Sequence, residues 1–161
     1  MPPATDPPNA SGPDGTPALS PYLVADDPHG LVAFLEGAFS ARVLRSNADA
    51  EGRVKHAALR VADSLVMTGS SSAEWPAMPT MLHLYVTDVD RVYQNALEAG
   101  GTALQAPADR DYGDRTGAVI DPAGNQWWIA THLASSPATG DDDTQRAGAD
   151  ATEGAADGQR V

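Results

Sequence analysis

The feature that most constrains this chain is an order of segments that occurs twice. "LSPYLVADD" reads as a strand ending in acids able to cap a helix, and "PHGLVAFLEGAFSA" places Leu31, Phe34, Leu35 and Phe39 at helical spacing. "ARVLRSN", "RVKHAALRV" and "SLVMTG" then read as three strands joined by turns at Asp49 to Gly52 and at Ala62 and Asp63. The second half repeats this order. "TMLHLYVTD" is a strand, "VDRVYQNALEAGG" a helix stopped by Gly100 and Gly101, and "TALQAP", "RTGAVID" and "QWWIATH" are three strands, the last two joined by the turn "DPAGN". A shift of 62 residues superposes Val24 on Val86, Asp26 on Asp88, Leu35 on Leu97 and Glu36 on Glu98, as expected of a duplicated unit whose shared face holds a ligand.

Composition bounds what surrounds this repeat. A chain of 161 residues and 42% hydrophobic content fits one globular domain or two small fused modules. Pro-rich residues 1–18 and acidic residues 135–161 have little to bury, so they are expected to be disordered tails flanking a domain at 19–134, with modules at 19–70 and 80–134. The absence of cysteine excludes disulfide scaffolds and thiol nucleophiles. The longest apolar run, Leu31 to Leu35, is too short to span a bilayer, and the first residues lack a secretory signature, so a cytoplasmic location with no membrane partner is expected. The net charge of −12 is spread along the chain as −2 in residues 1–16, −6 in 17–135 and −4 in 136–161. No part offers the basic surface that nucleic acid requires, whereas a cationic ligand would be attracted.

Strand alternation selects candidate site residues. Leu82, Leu84 and Val86 form an apolar face for helices to cover, leaving Met81, His83 and Tyr85 on the other side. Likewise Ala57, Leu59 and Val61 suit the helix side and send His56 and Arg60 to the opposite face, while Gln126, Trp128 and Ala130 share a face. Leu65 and Met67 join this set if the repeat slips by one residue there. Tyr112, in the Gly-containing turn "DRDYGDR", reaches the mouth of such a cleft, and Asp114 and Arg115 beside it are expected to order the turn by local pairing. The set His56, Arg60, Met67, His83, Tyr85, Tyr112 and Trp128 suits a planar or apolar ligand, because aromatic faces stack and Met adapts to irregular shapes. The competing assignment makes Met67, Tyr85 and Trp128 core residues, and His56 and His83 interior histidines that hold strands in register.

"YLVADD...FLEGAF", "HAALRVADSLVM", "LHLYVTDVDRVYQNALEAGG" and "DRDYGDRTGAVIDPAGNQWWIATH" together resemble the vicinal oxygen chelate superfamily, the group of glyoxalase I, extradiol dioxygenases and bleomycin resistance proteins. The resemblance implies an α+β fold in which two βαβββ modules form a curved mixed sheet around a cleft, commonly completed by a homodimer. Trp75 and Pro76, between the modules, are candidates for that contact. It also implies that metal-dependent members take His, Glu or Gln ligands from the first and last strand of each module. His83 matches one such position; the 62-residue shift puts its counterpart at Pro21, "SLVMTG" offers no ligand, and Trp128 stands where a carboxylate is expected. Without the metal and its carboxylate, glyoxalase I chemistry loses its Lewis acid and its base together. The expectation is therefore a cofactor-free protein that binds and sequesters a small planar or cationic molecule, in the manner of bleomycin resistance proteins. The alternative is a metal-dependent lyase or dioxygenase using His83 with His56 or Gln126.

Overall fold

A computed structural model describes residue 12 and residues 16–133. Most of the two expected tails lies outside the described residues. The elements are β1 (Tyr22–Ala25), α1 (Pro28–Phe39), β2 (Arg42–Ala48), β3 (Val54–Val61) and β4 (Ser64–Ser70), then β5 (Met81–Tyr85), α2 (Val89–Glu98), β6 (Thr102–Asp109), β7 (Asp114–Ile120) and β8 (Gln126–His132). They form two four-stranded sheets, ordered β1-β4-β3-β2 and β5-β8-β7-β6. In each sheet the first strand runs parallel to the last and the other pairings are antiparallel. The fold is α+β, two βαβββ modules, as the element order implies.

Local chemistry sets the helix ends. Pro28, whose fixed φ suits a first helical turn, opens α1, and Ser40 closes it in the left-handed conformation at φ 53°. Asp88 caps α2 by accepting from the Arg91 backbone N–H at 3.0 Å, and Thr131 Oγ1 accepts from Val89 N at 2.9 Å, tying the helix to β8.

The ladders correct the register of the repeat. Helix N-caps Asp27 and Asp88 lie 61 residues apart, as do the cross-strand pairs Tyr22 with Met67 and His83 with Trp128. On this register Leu23 matches Leu84, and the buried Leu35 matches the buried Ala96. The shift of 62 aligned Asp26 with Asp88 by coincidence of composition. The counterpart of His83 is thus Tyr22, not Pro21.

One core joins the modules. Leu23, Ala25, Leu59, Val61 and Val66 from the first sheet, Leu31, Phe34 and Leu35 from α1, and Val89, Val119, Trp127 and Ile129 from the second module belong to a single buried cluster. Phe39 of α1 packs on Trp127 of β8 with ring centroids 4.7 Å apart. The helices approach closely where side chains are small, since a Cβ at Gly37 would lie 3.1 Å from that of Ala99. Each sheet spends one face on this core and turns the other away from it. Among the described residues no helix is long and apolar enough to cross a membrane.

Candidate functional site

Strand alternation decides which side chains reach the two open faces. On the first sheet the ladder places Tyr22, Met67, Ala58 and His56 on one face, with Arg60 opposite Leu65 two steps further along. The Tyr22 and His56 rings are 5.8 Å apart. Arg60 donates to the Asp63 carbonyl at 3.1 Å and, with Thr16, Leu44, Arg45 and Leu65, lines a cavity of about 350 Å³.

The second sheet is more polar and more aromatic. The His83 and Tyr85 rings meet at 4.8 Å, tilted by 49°, and the ladder puts Trp128 beside His83 and Ala130 beside Tyr85. Met81 and Tyr85 are exposed, Trp128 is half-buried, and Tyr112 extends from the turn before β7 to within 3.5 Å of Thr116 Oγ1. Ala118, Ala130 and Thr116 lie on this same face yet are buried. Their small side chains let the neighbouring rings fold down across the sheet, which makes a broad aromatic platform.

A carboxylate sits at the end of that platform. Asp114, only 5% exposed, accepts from the Tyr85 hydroxyl at 2.8 Å through Oδ2 and meets His132 Nδ1 at 2.8 Å through Oδ1. The bonds from His132 and Tyr85 hold its carboxyl below the usual carboxylate range against the opposing effect of burial. The same contact pushes the Tyr85 phenol up, so Tyr85 stays protonated and donating. An ionised carboxylate only accepts, hence His132 carries a hydrogen on Nδ1 and turns Nε2 away from Asp114. Among the described residues, Nε2 has no partner.

The expected local pairing holds for Arg115, which bonds Asp109 across the turn, but not for Asp114, which is taken by Tyr85 and His132. Adjacent residues on a strand point to opposite faces, so Arg115 turns to the helix side. There it bridges Asp90 of α2, at 2.7 and 2.8 Å, and Asp109, at 2.8 Å. That pairing lowers the Asp90 carboxyl and raises the Arg115 guanidinium further. Neither Asp114 nor His132 is among the residues selected from the sequence. The signal was present in the period of two, because His132 follows Gln126, Trp128 and Ala130 on one face of β8.

Within one chain the seven selected residues form two groups. His83, Tyr85, Trp128 and Tyr112 share the open face of the second sheet, while His56, Arg60 and Met67 share that of the first. Cavities of about 200 and 460 Å³ do open between the modules, the first including His83 and the second Tyr85. Both are lined chiefly by helix-side residues such as Val61, Leu84 and Trp127 or Val92, and neither includes His56, Arg60 or Met67.

The four positions at which the resemblance implies metal ligands are held, on the corrected register, by Tyr22, Met67, His83 and Trp128. One imidazole among a phenol, a thioether and an indole is a poor donor set for a divalent cation. Among the described residues no three His, Asp or Glu side chains converge on a point.

Comparison with known proteins gives concordant likenesses. The model of the Glyoxalase/Bleomycin resistance protein/Dioxygenase superfamily matches residues 18–129. An uncharacterized protein of Mycobacterium bovis is 40% identical over 122 residues, covering 69% of this chain and 80% of the relative. One of Mycobacterium tuberculosis is also 40% identical, covering 69% and 72%. Among solved structures, TioX from a Micromonospora species superposes with a TM-score of 0.62 at 26% identity, over 71% of this chain and 98% of TioX. A glyoxalase/bleomycin resistance protein/dioxygenase family enzyme from Burkholderia phytofirmans superposes at 0.59 and 19% identity, over 71% and 97%, a likeness of fold alone.

Proposed function

From the premise that this chain belongs to the Glyoxalase/Bleomycin resistance protein/Dioxygenase superfamily, we propose that it binds and sequesters a planar small molecule, without a metal, on the aromatic face of its second sheet. The observation that carries this reading is the platform itself. His83, Tyr85, Tyr112 and Trp128 sit on a face that no other element of the described chain covers, with Tyr85 at 59% and Tyr112 at 66% exposure. Aromatic faces left in water at this density gain most from a flat partner that stacks on them. The donor set at the family's metal positions supports a metal-free mode. The charge of −12 favours a ligand carrying positive charge at its periphery.

The reading includes a homodimer. Among the described residues, strands β1 and β5 each have one edge without a ladder partner, and Tyr22, Met78, Met81, Tyr85 and Trp75 are exposed near those edges or in the linker between modules. A two-fold contact covers such edges and sets the first sheet of one copy against the second sheet of the other, so that His56, Arg60 and Met67 of one protomer become the opposite wall of the platform.

Thermal-shift screening against planar aromatic metabolites and cationic glycopeptide drugs, with and without chelator, tests the proposal. The expected result is a stabilising shift that chelator leaves unchanged, and a shift that appears only with divalent metal overturns it. Near-stoichiometric iron, zinc, nickel or manganese in protein purified without added metal, lost in His83→Ala, would restore the metal-dependent alternative.

A further inference from the structure

We propose that His132, oriented by Asp114, is a proton acceptor for an acidic hydroxyl on the edge of a planar ligand stacked against Tyr85. The inference rests on the ligand reading above and names the class of molecule: phenols and enols rather than flat molecules in general.

Three observations carry it. Asp114 is buried and has both oxygens engaged, Oδ2 by Tyr85 and Oδ1 by His132, each at 2.8 Å. Because that carboxylate can only accept, it holds the hydrogen of the neutral His132 ring on Nδ1 and leaves that ring's lone pair on Nε2. The same logic lets a carboxylate orient the histidine of a hydrolase triad. Finally, the His132 side chain is 67% exposed, so Nε2 is open to a ligand, while the Tyr85 ring, bound to the same carboxylate, supplies an adjacent stacking surface. A molecule lying on Tyr85 therefore has its edge beside Nε2.

The step balances within the site. The ligand O–H bond breaks, its electron pair stays on oxygen, and the proton forms an N–H bond at Nε2. The imidazolium so formed is compensated by Asp114 across Nδ1–H. The titratable groups that face it are Asp114 from β7 and Tyr85 and His83 from β5, with Tyr112 in the turn before β7. Arg115 lies on the opposite face, committed to Asp90 and Asp109, and does not compete.

The alternative role, a clamp that merely pins the end of β8 to β7, predicts a loss of stability and nothing else. A chromophoric pair separates the two. The full chain is titrated with 4-nitrophenol and with its methyl ether, 4-nitroanisole, at a pH between the ordinary imidazole pKa of about 6.5 and the phenol's own, following tryptophan quenching and the growth of the visible phenolate absorbance. The proposal expects both probes to quench, the phenol to bind about tenfold more tightly through one charge-assisted hydrogen bond, and the phenolate band to appear on binding. His132→Gln, checked for folding by circular dichroism, should abolish the band and the tenfold preference while the ether binds as before; Asp114→Asn should also abolish the band. Equal binding of the two probes without a phenolate band overturns the proposal but leaves the stacking reading intact. Failure of both probes to quench counts against both. A phenolate band retained in His132→Gln assigns the proton to another group and overturns the role of His132. Nitrogen-15 NMR of the unliganded chain adds a ligand-free arm: a protonated Nε2 in the neutral ring of His132 also overturns it.

Discussion

Trp127 and Trp128 are neighbours in sequence with opposite roles. Trp127 is 2% exposed, packs on Phe39 and donates through Nε1 to Asp121 at 2.9 Å, whereas Trp128 lies on the open face beside His83. Replacing Trp127 by Ala removes a large buried side chain and leaves a buried carboxylate one donor short, a loss of about 3–5 kcal/mol expected in urea unfolding. Trp128→Ala should cost under about 1.5 kcal/mol, as for sites outside the core, yet weaken stacking ligands markedly. Asp114 gives a prediction in pH. Its carboxyl is held low in the folded state, so its contribution is complete above the ordinary carboxylate pKa of about 3.9 and is lost as pH falls through the lowered value. Denaturation at a series of pH values should show Asp114→Asn with a shallower decline below about pH 4, with Asp90 and Asp49, lowered in the same sense, accounting for the remaining slope. Alternation alone separates the roles of the two tryptophans. The role of Asp114 was not legible, because its partners lie 18 and 29 residues away and meet it only after two strands have paired.

At the scale of elements, the order of strands and helices was readable because capping acids, turn residues and alternation all agree locally. Fine register was not. The ladders place the repeat at 61 residues, with Asp27 and Asp88 at the N-cap positions although only Asp88 bonds through its side chain, and consecutive acids at Asp26 and Asp27 left both alignments open to the letters alone. The join between α2 and β6 offers a test of packing. A Cβ on Gly101 would sit 2.7 Å from the Ala96 carbonyl oxygen and 3.0 Å from a ring carbon of Phe34, one a backbone atom and the other part of the shared core. Gly101→Ala should therefore lower stability by about 1–3 kcal/mol, the usual cost of overpacking, measured by thermal unfolding. An unchanged midpoint would mean that the helices separate more easily than their shared core implies.

For the whole molecule, one chain sets the two groups of sequence-selected residues on separate open faces. The helices and a single core hold the sheets together back to back, so the two groups of sequence-selected residues meet only if a second copy supplies the other wall. Sedimentation of the full chain at micromolar concentration and moderate salt should therefore give the mass of two chains, and Trp75→Ala should shift the balance toward one if that exposed side chain lies in the contact. The central claim is that the aromatic platform binds its ligand without a metal. Its most direct test is a fluorescence titration of chelator-treated protein with the strongest planar ligand from the screen, repeated after adding divalent metal and in Trp128→Ala. The account predicts saturable quenching with the same Kd in both wild-type titrations and a Kd raised at least about tenfold in the variant, the loss of roughly one buried stacking contact. Binding that needs the metal, or that is indifferent to Trp128, would contradict it.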